Sequence, residues 1–111
     1  MEISDINDST RVIRLEGRLG SPEVDKLEAR FSALAASTGK SALVDLAGVT
    51  FIGSMGIRMF ISTARAMQRK GLTLVLFGAQ ELVQEVLDQV SLGEIIPLVA
   101  DEKAALAHLV S

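Results

Sequence analysis

The chain has 111 residues, of which 49% are apolar and 23% charged, with a formal net charge of −3. This is enough apolar material for one hydrophobic core without metal or disulfide staples, and it excludes intrinsic disorder. The absence of cysteine removes thiol catalysis and thiolate metal sites, and an acidic chain with four Phe, no Tyr and no Trp offers nucleic acid neither general attraction nor stacking surfaces.

The opening Met1-Glu-Ile-Ser-Asp5 is acidic, and no apolar run approaches the roughly 20 residues of a membrane span. One soluble cytoplasmic domain over residues 1–111 is therefore expected, with no membrane insertion and no direct nucleic-acid partner.

In chain order, Glu2 to Asn7 reads as a short edge strand, and Thr10 to Leu19 as a strand ended by Gly17 and Gly20. Ser21-Pro22-Glu23 starts a helix: serine can cap, proline at the first helical position needs no N–H partner, and glutamate suits the positive dipole end. Val24, Leu27, Phe31, Leu34 and Ala35 recur at helical spacing, and Thr38-Gly39-Lys40 ends that helix. Ala42 to Leu46 and Leu72 to Phe77 are apolar runs suited to parallel strands covered on both faces. Between them a helical pattern from about Ser54 to Lys70, closed by Gly71, completes a β-α-β unit. A third helix is expected from Ala79 to Val90, with Leu82, Val83, Val86, Leu87 and Val90 on its apolar face. Ile95 to Val99 reads as a last strand and Ala104 to Val110 as a closing helix. The alternation predicts an α/β fold, with a mixed, mostly parallel sheet of four to five strands flanked by about four helices.

Three kinds of chemistry can be weighed at Ser54, which follows the strand and opens the helix: capping, nucleophilic attack and phosphate acceptance. Gly53-Ser54-Met55-Gly56 looks like a nucleophile elbow, but the glycine that motif requires two residues before serine is replaced by Ile52. The order Ser54, Asp101, His108 imitates a hydrolase triad, yet Leu106, Leu109 and Val110 take the apolar positions of the last helix and leave His108 on a solvated flank. No Walker loop or G-x-G-x-x-G fingerprint occurs, and a single histidine with scattered acids offers no metal site. Glu81, Glu85 and Asp88 read as a solvated helical face. No catalytic residue, cofactor or metal is expected.

At 100° per residue, Ile57, Phe60, Ile61, Ala64 and Met67 share the expected core side of the helix after Ser54. Arg58, Ser62, Arg65 and Arg69 lie opposite, bordered by Met55, Met59 and Ala66. Adaptable methionines beside arginines favour a protein-docking surface over an ordinary solvated face. The candidate partner-binding residues are Gly53, Met55, Gly56, Arg58, Met59 and Ser62, around Ser54.

Leu43-Val-Asp-Leu-Ala-Gly-Val-Thr-Phe-Ile-Gly-Ser-Met-Gly-Ile57 resembles the signature of STAS domains, the family of bacterial anti-sigma factor antagonists. Ile13-Arg-Leu-Glu-Gly-Arg-Leu19 is similar to the family's first core strand, and Gly71 to Gly78 with the following helix to its next strand-helix unit. The resemblance implies a regulatory protein that binds an anti-sigma factor, a serine kinase of the histidine-kinase-like ATPase type, and thereby releases a sigma factor. It also implies phosphorylation by that kinase in an Asp-Ser-x-Gly motif and restoration by a cognate phosphatase. Here the matching serine is Ser54 and the matching glycine Gly56, while Gly53 stands where the family has aspartate. The alternatives are a STAS subunit of a stressosome-like scaffold or of a lipid-transport ABC complex and, more remotely, a small enzyme with Ser54 as nucleophile.

Overall fold

In the computed structural model, which describes residues 1–110, a five-stranded sheet runs in chain order, β1-β2-β3-β4-β5. Strand β1 (Glu2–Asn7) pairs antiparallel with β2 (Thr10–Leu19), and β3 (Ser41–Ile52), β4 (Leu74–Phe77) and β5 (Leu98–Val99) continue the sheet in parallel. Helices α1 (Ser21–Ala36), α2 (Ser54–Gln68) and α3 (Glu81–Gln89) are the crossovers, and α4 (Glu102–Val110) closes the described chain. The predicted mixed, mostly parallel α/β sheet is the observed one.

Each face of the sheet has its own core. Ile13, Val44, Leu46 and Leu76 meet Phe31 of α1, Phe60 and Met67 of α2 and Val83 and Leu87 of α3. On the other face Val12, Leu43, Val75 and Phe77 meet Ala105 of α4. Alternate residues of β2 and β4 serve opposite cores, as the pleat requires.

Helix α1 begins one residue earlier in its logic than the serine suggests. Gly20 occupies the N-cap, and its N–H donates to Glu23 Oε1 at 3.0 Å, so the glutamate of Ser21-Pro22-Glu23 supplies the cap. At the other end, Lys70 Nζ, just beyond α2, donates to the carbonyl of Ala36 at 2.6 Å and satisfies one of the open groups at the α1 C-terminus.

Three sequence expectations are corrected. Strand β3 runs to Ile52, beyond Leu46, because its pairing with β2 continues to Leu19–Ile52 across two one-residue bulges on the β3 side. Arg14 and Glu16 pair with Asp45 and Gly48, and Gly17 and Arg18 with Val49 and Phe51. These bulges reset the alternation, so Leu46, Val49 and Ile52 are all buried three residues apart. The last strand is only Leu98–Val99: Ser91 turns the chain at φ 55°, a short 3-10 helix spans Leu92–Glu94, and Ile96 is buried without strand pairing. On α3, Val83 and Leu87 are buried, but Leu82 is 72% and Val90 49% exposed. The buried arc of that short helix is narrower than its apolar arc.

The edge strand is held by charge. Asp5 accepts from Arg11 Nε at 2.6 Å and from Lys40 Nζ at 2.9 Å, linking β1 to β2 and to the segment before β3. The hydrogen bond from Arg11 and then that from Lys40 hold the Asp5 carboxyl well below its ordinary 3.8, and the same contact raises Arg11. Because the folded value lies below the unfolded one, the clamp's stabilisation is complete above pH 3.8 and is lost as pH falls through the folded value. Asp5→Asn should therefore flatten the pH dependence of the unfolding free energy below about pH 4, read from urea titrations followed by circular dichroism. An unchanged slope would show that the clamp contributes nothing.

Candidate functional site

The site forms where two strand-to-helix junctions meet. The Gly53 N–H donates to the carbonyl of Leu19 at 3.1 Å, tying the start of α2 to the β2–α1 junction. Gly53 is the N-cap, in extended backbone (φ −107°, ψ −176°), and its carbonyl accepts the first helical bond from Ile57 at 3.1 Å. Ser54 is thus the first residue inside the helix. Among the described residues its hydroxyl makes no hydrogen bond, and it faces solvent. Of the three roles the sequence left open, capping is removed.

Gly56 brings the helix start close to the sheet. A Cβ there would lie 2.9 Å from Ile52 Cγ1 and 3.0 Å from the Leu19 carbonyl oxygen, so the third helical position must be glycine for α2 to sit at this depth. It is buried, so it fixes how close the first turn of α2 and Ser54 sit to the sheet and leaves no exposed surface of its own.

Arg58, one turn on, is exposed, and its Nη1 approaches Met55 Sδ at 3.9 Å, with Met55 half-buried. Ser62 is exposed a further turn along. Met59, expected beside them, is instead 0% exposed. Helix α2 lies against α1 as well as the sheet, so its buried arc spans Gly56, Met59, Phe60, Thr63, Ala64 and Met67 and is rotated away from Ile57 and Ile61, which are half-buried. The hydroxyl contact between Ser32 and Thr63, at 3.3 Å, marks that second packing side.

Two residues of this surface are not evident from the sequence. Phe51 is 39% exposed beside Gly53, its ring edge 3.4 Å from where a Gly53 Cβ would stand. The Arg18 guanidinium lies over that ring at 4.2 Å from the centroid. A phenylalanine next to exposed Thr50 and two residues before Gly53 is the available signal for Phe51; nothing in the sequence singles out Arg18. Together they put an apolar plate and a second positive charge near Ser54.

The triad geometry does not assemble. Asp101 accepts from the Ala104 N–H at 2.8 Å as the start of α4, and His108 belongs to α4, on the face of the sheet opposite α2. Among the described residues no group of three or more His, Cys, Asp or Glu could hold a metal ion, and no helix is long and apolar enough to cross a membrane.

Comparison with known proteins adds the family. A STAS domain family model matches residues 3–105. The fold superposes on an anti-sigma-factor antagonist (STAS) domain protein from Planctomyces limnophilus with a TM-score of 0.83 at 21% identity, covering 99% of this chain and 97% of the other. It superposes on the anti-sigma factor antagonist SpoIIAA in its unphosphorylated form with a TM-score of 0.79 at 20% identity, covering 97% and 94%. For the Bacillus cell fate determinant SpoIIAA in the phosphorylated form, the values are 0.71, 20%, 97% and 97%. No curated protein sequence matches the chain. With 103 consecutive residues matched by the family model, the chain belongs to the STAS domain family.

Proposed function

We propose that this protein is an anti-sigma factor antagonist that acts in the cytoplasm, docks on a serine-kinase anti-sigma factor through the surface around Ser54, and is switched by phosphorylation of that serine. The observation that carries the reading is the Ser54 hydroxyl. It is exposed, without a hydrogen-bond partner among the described residues, and flanked by Met55, Arg58 and the Arg18–Phe51 pair. In the kinase step the γ-phosphoryl group of ATP passes to Ser54 Oγ, ADP leaves, and the hydroxyl proton goes to a base of the kinase. A cognate phosphatase hydrolyses the ester.

The fold would tolerate the product. A phosphoserine adds about −1.5 to −2 charge beside the free N–H groups of the helix start, the favourable end of the dipole. The partner would meet new charge and bulk over Met55 and Phe51, in a contact otherwise partly apolar. Regulation by binding rather than catalysis is supported by the failed elbow pattern at Ile52 and by the separation of His108 from Ser54.

Incubation with the cognate kinase and ATP should add one phosphate, and Ser54→Ala should abolish it. Ser54→Glu should weaken anti-sigma factor binding about tenfold or more, measured by calorimetry, with unfolding unchanged. An intact mass that never changes would remove the phosphoswitch, while the binding measurement would still report on docking. The missing aspartate at Gly53 makes a second comparison useful: Gly53→Asp should speed phosphorylation if the family carboxylate is a kinase contact.

A further inference from the structure

The exposed side of α2 carries a groove of about 300 Å³ lined by Arg58, Ile61, Ser62, Arg65, Ala66 and Arg69. Among the described residues none of these arginines is in an ion pair. Helix α3 presents the opposite chemistry. Glu81 and Glu85 are exposed without ion-pair partners, Asp88 accepts only from Gln84 Nε2 at 2.9 Å, and beside this acidic face projects Leu82, 72% exposed.

The two helices also match in spacing. Arg65 and Arg69 are four residues apart, as are Glu81 and Glu85, so with the helices antiparallel Arg65 faces Glu85 while Arg69 faces Glu81. At about 1.5 Å rise per residue, these four-residue intervals both span roughly 6 Å along a helix axis. The groove floor, with Ile61 and Ala66 half-buried, offers an apolar seat that an exposed leucine fills.

We propose that this chain self-associates, with the acidic face and Leu82 of α3 from one copy seated in the arginine-rimmed groove on α2 of a second copy. The second copy is preferred over another acidic partner because the complementary charge, spacing and apolar side chain are all present on this chain. Helices α2 and α3 cover the same face of the sheet. A two-fold arrangement therefore allows the contact to be made twice, α2 on α3 and α3 on α2, and so to close as a dimer. The proposal does not depend on phosphorylation of Ser54.

Sedimentation velocity on the full chain at about 0.3 mM and low salt should show a dimer that dissociates as salt rises. Arg65→Glu and Glu85→Arg, both at exposed positions, should each be folded by circular dichroism and monomeric. Mixed in equal amounts they should recombine, because both contacts then join opposite charges. Leu82→Ser should weaken the dimer without altering its salt dependence. The proposal is overturned by a monomeric wild type under these conditions, by a dimer that both charge variants leave intact, or by variants that fail to recombine. It is also overturned if a monomeric wild-type chain binds polyglutamate at the groove, which would assign α2 to a different acidic partner.

Discussion

Phe60→Ala should lower the unfolding free energy by about 3–5 kcal/mol, the range for deleting a fully buried aromatic. Phe60 is 0% exposed, and its ring stands 5.7 Å from that of Phe31 at 70°, an edge-to-face contact that joins α2 to α1. Two constraints keep the void from closing. The sheet beneath is fixed by parallel pairing, and α2 is fixed at its start by Gly56 and at its end by Lys70 on Ala36. In a double-mutant cycle with Phe31→Ala, the pair should show a coupling of about 0.5–1.5 kcal/mol beyond area burial. Urea unfolding of the three variants measures both quantities. A loss near 1 kcal/mol for Phe60→Ala would mean that α2 collapses onto the sheet more freely than these anchors allow.

Gly56→Val is the second large effect, and it connects stability to the site. A helix interior normally gains from losing glycine, by up to about 1 kcal/mol for alanine. Here the added Cβ meets Ile52 Cγ1 at 2.9 Å and, less avoidably, the Leu19 carbonyl oxygen at 3.0 Å. The leucine carbonyl cannot move aside cheaply, because it also accepts the Gly53 N–H. Helix α2 must lift, and the net cost should be about 1–3 kcal/mol, with Gly56→Ala milder because its propensity gain offsets part of the clash. Lifting the first turn also displaces Ser54 from Phe51 and Arg18. Gly56→Val should therefore weaken partner binding by more than its instability explains, which calorimetry below the unfolding midpoint would reveal. Full-affinity binding by a folded Gly56→Val protein would show that the height of Ser54 above the sheet does not matter.

Local signals carried most of the fold. Glu2–Asn7 and Thr10–Leu19 are bounded in the structure as the polar-apolar pattern and the glycines indicate, and α2 ends two residues before the expected Lys70. These elements are set by short-range preferences that need no partner to be read. The misreadings have a common cause in packing. Met59 reads as a docking-face residue on an ideal helix wheel, which assumes one packing surface, whereas α2 has two, the sheet and α1. Leu82 and Val90 read as core residues because apolar identity does not say how wide an arc a nine-residue helix buries. The extension of β3 to Ile52 was hidden because bulges break the period of two on which strand reading depends.

The α/β order of elements, the family signature, and a serine at a helix start flanked by Gly53 and Gly56 are all legible in the chain. Those features are local in the chain, so spacing and residue type express them. Only the folded chain shows that Gly53 rather than Ser54 caps α2, that a Cβ at Gly56 would meet the Leu19 backbone, and that Phe51 stands beside Gly53 with Arg18 over its ring. Each of those facts depends on how β2 and β3 align across two bulges, and strand register is set by pairing between distant segments rather than by either segment alone.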